Sequence, residues 1–193
     1  MPATSPLPLT DNIALKEWAV VCAALASGRQ SILIRKGGIA EIDGEFRFRS
    51  LHFWLTPTRF HQSADQLVPE ANDLSGHAEM SAPPAGELRL SLYATVVDAR
   101  RLTRPDQLRS LAGWSVLADQ TIRQRFEYRE PHLDVALVRV YRLIEPHRIA
   151  DRPDYAGCHS WVTLAEPHAT TGLEPVLSDT EFDRLRNDWE RVV

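Results

Sequence analysis

The chain has 193 residues, of which 44% are hydrophobic and 25% charged, and its formal net charge is −4. This is the make-up of a soluble globular protein of one domain, or of one domain with a small appendage. It excludes a protein that coats nucleic acid through bulk positive charge, a disulfide-framed domain (Cys22 and Cys158 are the only cysteines) and, with no apolar run near ~20 residues, a helical membrane protein. The N-terminus lacks a basic flank followed by an apolar run, so no signal peptide is expected and the cytoplasm is the expected compartment.

Residues 1–11 are expected to form a flexible arm and residues 12–193 a single α+β domain. Thr10, Asp11 and Asn12 are N-cap candidates for a helix from about Ile13 to Ser27. Trp18, Val21, Cys22 and Leu25 would form its apolar face, with Gly28 as the residue that ends it. Ser31 to Ile39 then reads as a strand apolar on both faces, which turns cationic at Arg35 and Lys36 and breaks at Gly37-Gly38. A buried strand that delivers two cations onto a glycine turn fits an anion or phosphate site. The plainer reading is a hairpin end whose cations sit in water. Lys16 and Lys36 are the only lysines among the 22 Lys and Arg residues. A GC-rich genome explains such a bias, which makes the two retained lysines informative, because ammonium and guanidinium are not interchangeable.

Asp43-Gly44 between two strand-like runs predicts a hairpin with Glu45–Arg49 as its second arm. His52 to Leu55 is another short strand, ended by Pro57. Thr58 would cap a helix reaching about Val68, and residues 69–86 would be a long exposed loop. Leu88, Leu90 and Leu92 alternate with polar residues in a half-buried strand to about Ala99. Pro105 and Gly113 bracket a short helix, and Asp119 would cap a second one through Phe126. Leu133 to Ile144 is the longest strand candidate, apolar on both faces. It carries Arg139, which must either find a buried partner or snorkel to water past the sheet edge. After a Pro- and Asp-rich connection over 145–157, Gly157 would turn into a strand through Leu164. Ser178 and Glu181 form a capping box with Leu177 and Phe182 at the staple positions, heading a C-terminal helix with Leu185, Trp189 and Val192 on its apolar side. The expected fold is α+β. It is a curved, mostly antiparallel sheet, or that sheet closed into a small β-barrel (PUA-like), covered by N-terminal, middle and C-terminal helices.

Five runs carry a resemblance. They are Ala14-Leu-Lys-Glu-Trp-Ala19, Leu33-Ile-Arg-Lys-Gly-Gly-Ile39 with Glu41, Phe53-x-x-x-Pro57-Thr58-x-x-His61-Gln62, Arg139-Val-Tyr141, and Gly157-Cys-x-Ser-Trp-Val162. In order and spacing the chain resembles, over about residues 12–190, the bacterial domain of unknown function 1802 family. That family has no established activity. Some members are joined to a restriction-endonuclease catalytic domain, which implies a tie to restriction or DNA defence for those members; no such second domain is expected within these 193 residues.

A restriction-type nuclease needs an acidic residue followed by Glu/Asp-x-Lys to hold Mg²⁺. Asp43-Gly-Glu45-Phe-Arg47 comes nearest, but with Arg for Lys and on a hairpin turn. Zinc-type Cys/His spacing, a phosphate loop and a dinucleotide fingerprint are all missing, and no metal or cofactor is expected. Cys158 with His61 could pair as nucleophile and base on paper, but Cys158 reads better as a small core residue. The candidate site is therefore Lys16, Glu17, Arg35, Lys36, Gly37, Gly38, Thr58, His61, Gln62, Arg139, Ser160 and Trp161. Lys36 and Arg139 would share a cavity with Glu17 between them and Trp161 as an aromatic wall. Cations, amide and hydroxyl groups and an aromatic suit a pocket for phosphate plus base. The first expectation is a non-catalytic module that binds DNA, RNA or a nucleotide. The second is a metal-independent hydrolase or transferase acting on a phosphorylated small molecule, with Glu17 or His61 as general base. The third is an accessory domain that binds a protein partner.

Overall fold

The computed structural model describes residues 6–36, 39–42, 45–59, 63–80, 82–157 and 159–192. The chain opens not on a helix but on a strand, β1 (Thr10–Trp18), and only then turns into a short helix, α1 (Ala19–Ala26). The helical spacing from Trp18 to Leu25 was the misleading signal. Val21, Cys22 and Leu25 are buried, but so are Ala19, Val20 and Ala24, so α1 has no polar face. Residues 10–18 are claimed instead by two neighbouring strands, and tertiary pairing outweighs local propensity. Gly28 ends α1 as expected, at φ +72°. The Gly28 N–H bonds to the Leu25 carbonyl and the Arg29 N–H to the Ala24 carbonyl, the Schellman pattern.

The strands that follow are β2 (Ile32–Arg35), β3 (Ile39–Ile42), β4 (Glu45–Phe48) and β5 (His52–Thr58). β3 and β4 pair as the predicted hairpin, Ile42 opposite Glu45, while its Asp43-Gly44 turn lies outside the described residues. Pro57 does not end β5. It sits where β5 has lost β6 as a neighbour and keeps only β1 on its other side, the edge position a proline tolerates. Thr58 lies inside that strand rather than capping a helix. Beyond it the described chain makes 3₁₀ turns at Ala64–Gln66 and Pro69–Ala71. The expected loop over 69–86 holds a helix, α2 (Asn72–Met80), because Ala71 and Leu74 bury their side chains in the core and Arg29 ties Asp73 at 2.6 Å.

β6 (Glu87–Leu102), α3 (Asp119–Glu127) and β7 (Leu133–Ala150) come next, with a 3₁₀ turn at Pro105–Leu111 between the first two. Asp119 is the first residue of α3, not its cap; Ala118 holds that place. β7 continues through the segment expected to be a connection, because β6 pairs with it out to Ala150. β8 (Trp161–Ala169), β9 (Leu173–Pro175) and α4 (Asp179–Val192) complete the chain. The capping box forms: Glu181 Oε2 accepts the Ser178 N–H at 2.9 Å, and Ser178 Oγ accepts the Glu181 N–H at 3.3 Å.

The fold is α+β, with the order β2-β7-β6-β5-β1-β8 in an open curved sheet and β9 beside β2 on the same edge of β7. All pairings are antiparallel except β1 with β5. Bulges between Leu90 and Leu92 and between Val96 and Asp98 bend the long β6–β7 ribbon. The first bulge also separates Leu92 from Leu88 and Leu90, which the sequence placed on one face. Leu92 joins the main core with Leu15, Phe53, Leu55 and the helices, whereas Leu88 and Leu90 join a second core with Ala14, Trp54, Tyr93 and Leu164. The curved sheet thus has a core on each face.

Candidate functional site

An open cleft of about 580 Å³ lies at the carboxyl ends of β1, β2 and β5, walled by Arg125 of α3 and by Asp151, Tyr155, Ala156, Gly157, His159 and Ser160. The parallel register sets Glu17 beside Pro57 and Trp18 beside Thr58. β2 is not a sheet neighbour of β1, but the curvature brings its last residue to Glu17. Arg35 Nη1 donates to Glu17 Oε2 at 2.9 Å and to the Lys16 carbonyl at 3.2 Å. Glu17 is only 3% exposed, and its other oxygen accepts the Trp18 N–H at 2.7 Å. Its carboxylate is committed to fixing Arg35. Cys22 lies behind this pair, and burial, with Glu17 adding to it, pushes the thiol pKa well up.

Opposite stands Arg125 of α3. Its guanidinium lies over the Trp18 indole, 4.4 Å from the ring centroid, and Nη1 donates to the Ile34 carbonyl at 3.1 Å. Among the described residues no carboxylate pairs with it, since the nearby Glu17 is held by Arg35. Burial lowers its pKa, while Glu17 opposes that shift and Arg35 adds to it. Lys16 likewise has no acidic partner among the described residues. Its Nζ donates to the Gly157 carbonyl at 2.9 Å, and its N–H to the Ser160 carbonyl at 2.8 Å, which pins the 151–160 wall to β1. Gly157, at φ +94°, shapes that wall, where a Cβ would lie 3.4 Å from His159 Nδ1. Tyr155 is buried in it, its hydroxyl accepting the Ala165 N–H at 2.8 Å. Ile34, Leu88, Val162 and Pro57 give the cleft its apolar surface. Among the described residues no three His, Cys, Asp or Glu side chains come together to hold a metal, and no helix is long and apolar enough to cross a membrane.

Of the residues predicted from the sequence, Lys16, Glu17, Arg35, Lys36, Thr58 and Ser160 line this cleft. Gly37, Gly38, His61 and Gln62, like Cys158, lie outside the described residues. Two expectations are corrected. Arg139 is not in the cleft but on β7 at the foot of α4. There it pairs with Asp179 and packs on the Phe182 ring, 15% exposed. Among the described residues Lys36 and Arg139 thus line different hollows, and Glu17 pairs with Arg35 rather than bridging them. Trp161 is a core residue, edge-on to Phe53 at 5.1 Å, because its place on β8 opposite Leu15 points it into the main core. The aromatic wall is Trp18. Trp18, Arg125, Thr56, Tyr155 and His159 are the site residues the sequence did not single out. For Trp18 the signal was present, since it follows Lys16-Glu17 directly.

A family model described as a domain of unknown function (DUF1802) matches residues 14–188. Among solved structures, the chain is similar to ASCH from Zymomonas mobilis, at 14% identity and TM-score 0.45 over 91% of this chain and 93% of that one. It is similar also to a ZmASCH mutant protein from the same organism, at 12% identity and TM-score 0.43 over 94% and 98%. No curated protein matches the chain.

Proposed function

The chain belongs to the DUF1802 family, and we propose that it is a non-catalytic module that binds one nucleotide in the β1–β2–β5 cleft, either free or as an unpaired unit of a DNA or RNA strand. The observation that carries this reading is Arg125, a half-buried cation with no carboxylate partner among the described residues, held over an indole and opening onto an apolar-walled cleft. A guanidinium in that state lacks a counter-charge that a phosphate supplies bidentately. Lys16 is the second such cation on the rim. The remaining walls offer apolar surface for a base, with the Ser160 hydroxyl beside it for its edge. The volume falls within the range of small-ligand pockets. A cleft of that size admits an unpaired nucleotide and not a base-paired helix, so a duplex would have to extrude one. Glu17 serves this reading as the anchor of Arg35. The hydrolase or transferase reading asks it to be a free base, and its bonds to Arg35 and to the Trp18 N–H stand against that.

The test is direct titration of labelled single-stranded DNA and RNA, of duplexes and of free nucleotides across a salt series. Single strands are expected to bind more tightly than duplexes. The log–log salt slope should correspond to about two phosphate contacts at roughly 0.7 each, and Arg125→Ala should remove one of them. Folded protein that binds none of these ligands at low salt would overturn the proposal. A preference for DNA among them would fit the restriction tie of some family members.

A further inference from the structure

Lys36 follows β2 at the cleft wall, yet its ammonium is engaged by backbone carbonyls. Nζ donates to the Phe126 carbonyl at 3.1 Å, to the His132 carbonyl at 2.9 Å and to the Glu130 carbonyl, so all three of its protons are used. These carbonyls belong to the last turn of α3 and the loop after it. That loop curls because Arg129 adopts φ +60° and because the His132 N–H returns to the Phe126 carbonyl at 3.2 Å. The result is a carbonyl cradle closed around one ammonium. Phe126 is the residue next to Arg125, and Arg125 itself bonds to Ile34, two residues before Lys36. Arg125 and the residue after it are thus tied to Ile34 at the end of β2 and to Lys36 just beyond it.

We propose that Lys36 is a positioning residue: by holding the end of α3 it fixes Arg125 over Trp18, and it makes no contact with the ligand. This inference rests on the reading of the cleft as a nucleotide site. It also accounts for one of the two lysines in a chain whose other cationic side chains are all arginine. Three carbonyls converging from different directions match the tetrahedral donors of an ammonium. The flat fork of a guanidinium points its N–H groups in one plane and cannot reach all three. A helix end that presents carbonyls is also where a cation is favoured by the backbone dipole.

Lys36→Met, Lys36→Arg and Arg125→Met are compared with the wild type in binding a labelled single-stranded oligonucleotide over a potassium chloride series. The Arg125 side-chain resonances, displaced by the ring current of Trp18, are followed by NMR in the same variants. Lys36→Met should weaken binding roughly tenfold with the salt slope unchanged, whereas Arg125→Met should lower the slope by about 0.7. Lys36→Arg should not restore affinity, and both Lys36 variants should collapse the ring-current shift of Arg125. Lys36→Arg keeps the charge and carries the test alone if Lys36→Met does not fold. The proposal is overturned by a slope that falls in Lys36→Met as it does in Arg125→Met, which would place the ammonium on a phosphate. It is also overturned by wild-type affinity in either Lys36 variant. If the wild type binds no oligonucleotide, the cleft reading fails separately, and the NMR shift still decides whether Lys36 fixes Arg125.

Discussion

Glu17 and Arg35 show how this chain keeps a carboxylate at 3% exposure. A buried ion pair contributes little over an apolar substitute, but a buried charge left alone is costly. Glu17→Gln should therefore destabilise the fold by about 3–5 kcal/mol, and Arg35→Met by a similar amount. The double variant should recover a large part of the loss, because no unpaired charge is left behind. Urea melts of the three variants measure this, and strict additivity would mean that the two residues do not depend on one another. Arg35 was legible in the sequence as a cation at the end of an apolar strand and Lys16 as one of only two lysines, whereas Lys16 and Glu17 were placed at the head of a helix and stand instead on β1. Arg125 was not legible, because nothing in a one-dimensional pattern says that α3 lies across the end of β2. Arg139 misled for the converse reason. Its neighbours are apolar on both faces of β7, and the sequence could not show that α4 brings Asp179 and Phe182 to cover it.

At the level of elements, the ends were more legible than the middles. Gly28, the capping box at Ser178 and the β3–β4 pairing are set by local chemistry, and each formed as the residues dictate. β1 and α2 were misread because their state depends on partners distant in the chain. The two well-marked helix ends also touch. A Cβ on Gly28 would lie 2.7 Å from Leu177 Cδ2, in the staple that starts α4. Gly28→Ala therefore forces a side chain into a left-handed backbone and pushes Leu177 aside. The expected loss is about 1–2 kcal/mol, read as a lower thermal midpoint. A midpoint equal to that of the wild type would show that the α1–α4 junction yields freely.

Across the whole molecule, the sheet's curvature closes the second core by bringing the far half of β7 to the end of β8. His147 Nε2 meets the Ala169 carbonyl at 2.8 Å, and its ring stands 5.4 Å from that of His168. Burial, then the neighbouring His147, holds the His168 pKa below its ordinary 6.5, with Glu166 opposing. The folded protein thus takes up this proton less readily than the unfolded chain. The stability linked to it is complete above about pH 6.5 and is lost as pH falls through that value toward the folded pKa. His168→Gln should flatten the dependence of the urea midpoint on pH between about 7.5 and 5.5. An unchanged slope would remove His168 from the acid response. The α+β class and the curved sheet were legible in the spacing of strands and turns. The second core was not, because at the bulge Leu90 pairs with His147 and Leu92 with Arg142: the extra residues lie in β7 and leave the alternation of Leu88, Leu90 and Leu92 unmarked.

β1 lies between β5 and β8, and its antiparallel neighbour is made last. On a ribosome adding about 5–20 residues per second, Leu15 waits roughly 7–30 s for Trp161, its partner across the ladder. Once β5 has been made, the nascent chain still carries β1 with one open edge until β8 follows, and such edges recruit other chains. The same pairing that completes the sheet makes early truncation hazardous: a product stopped before residue 161 would keep the edge and lack its cover.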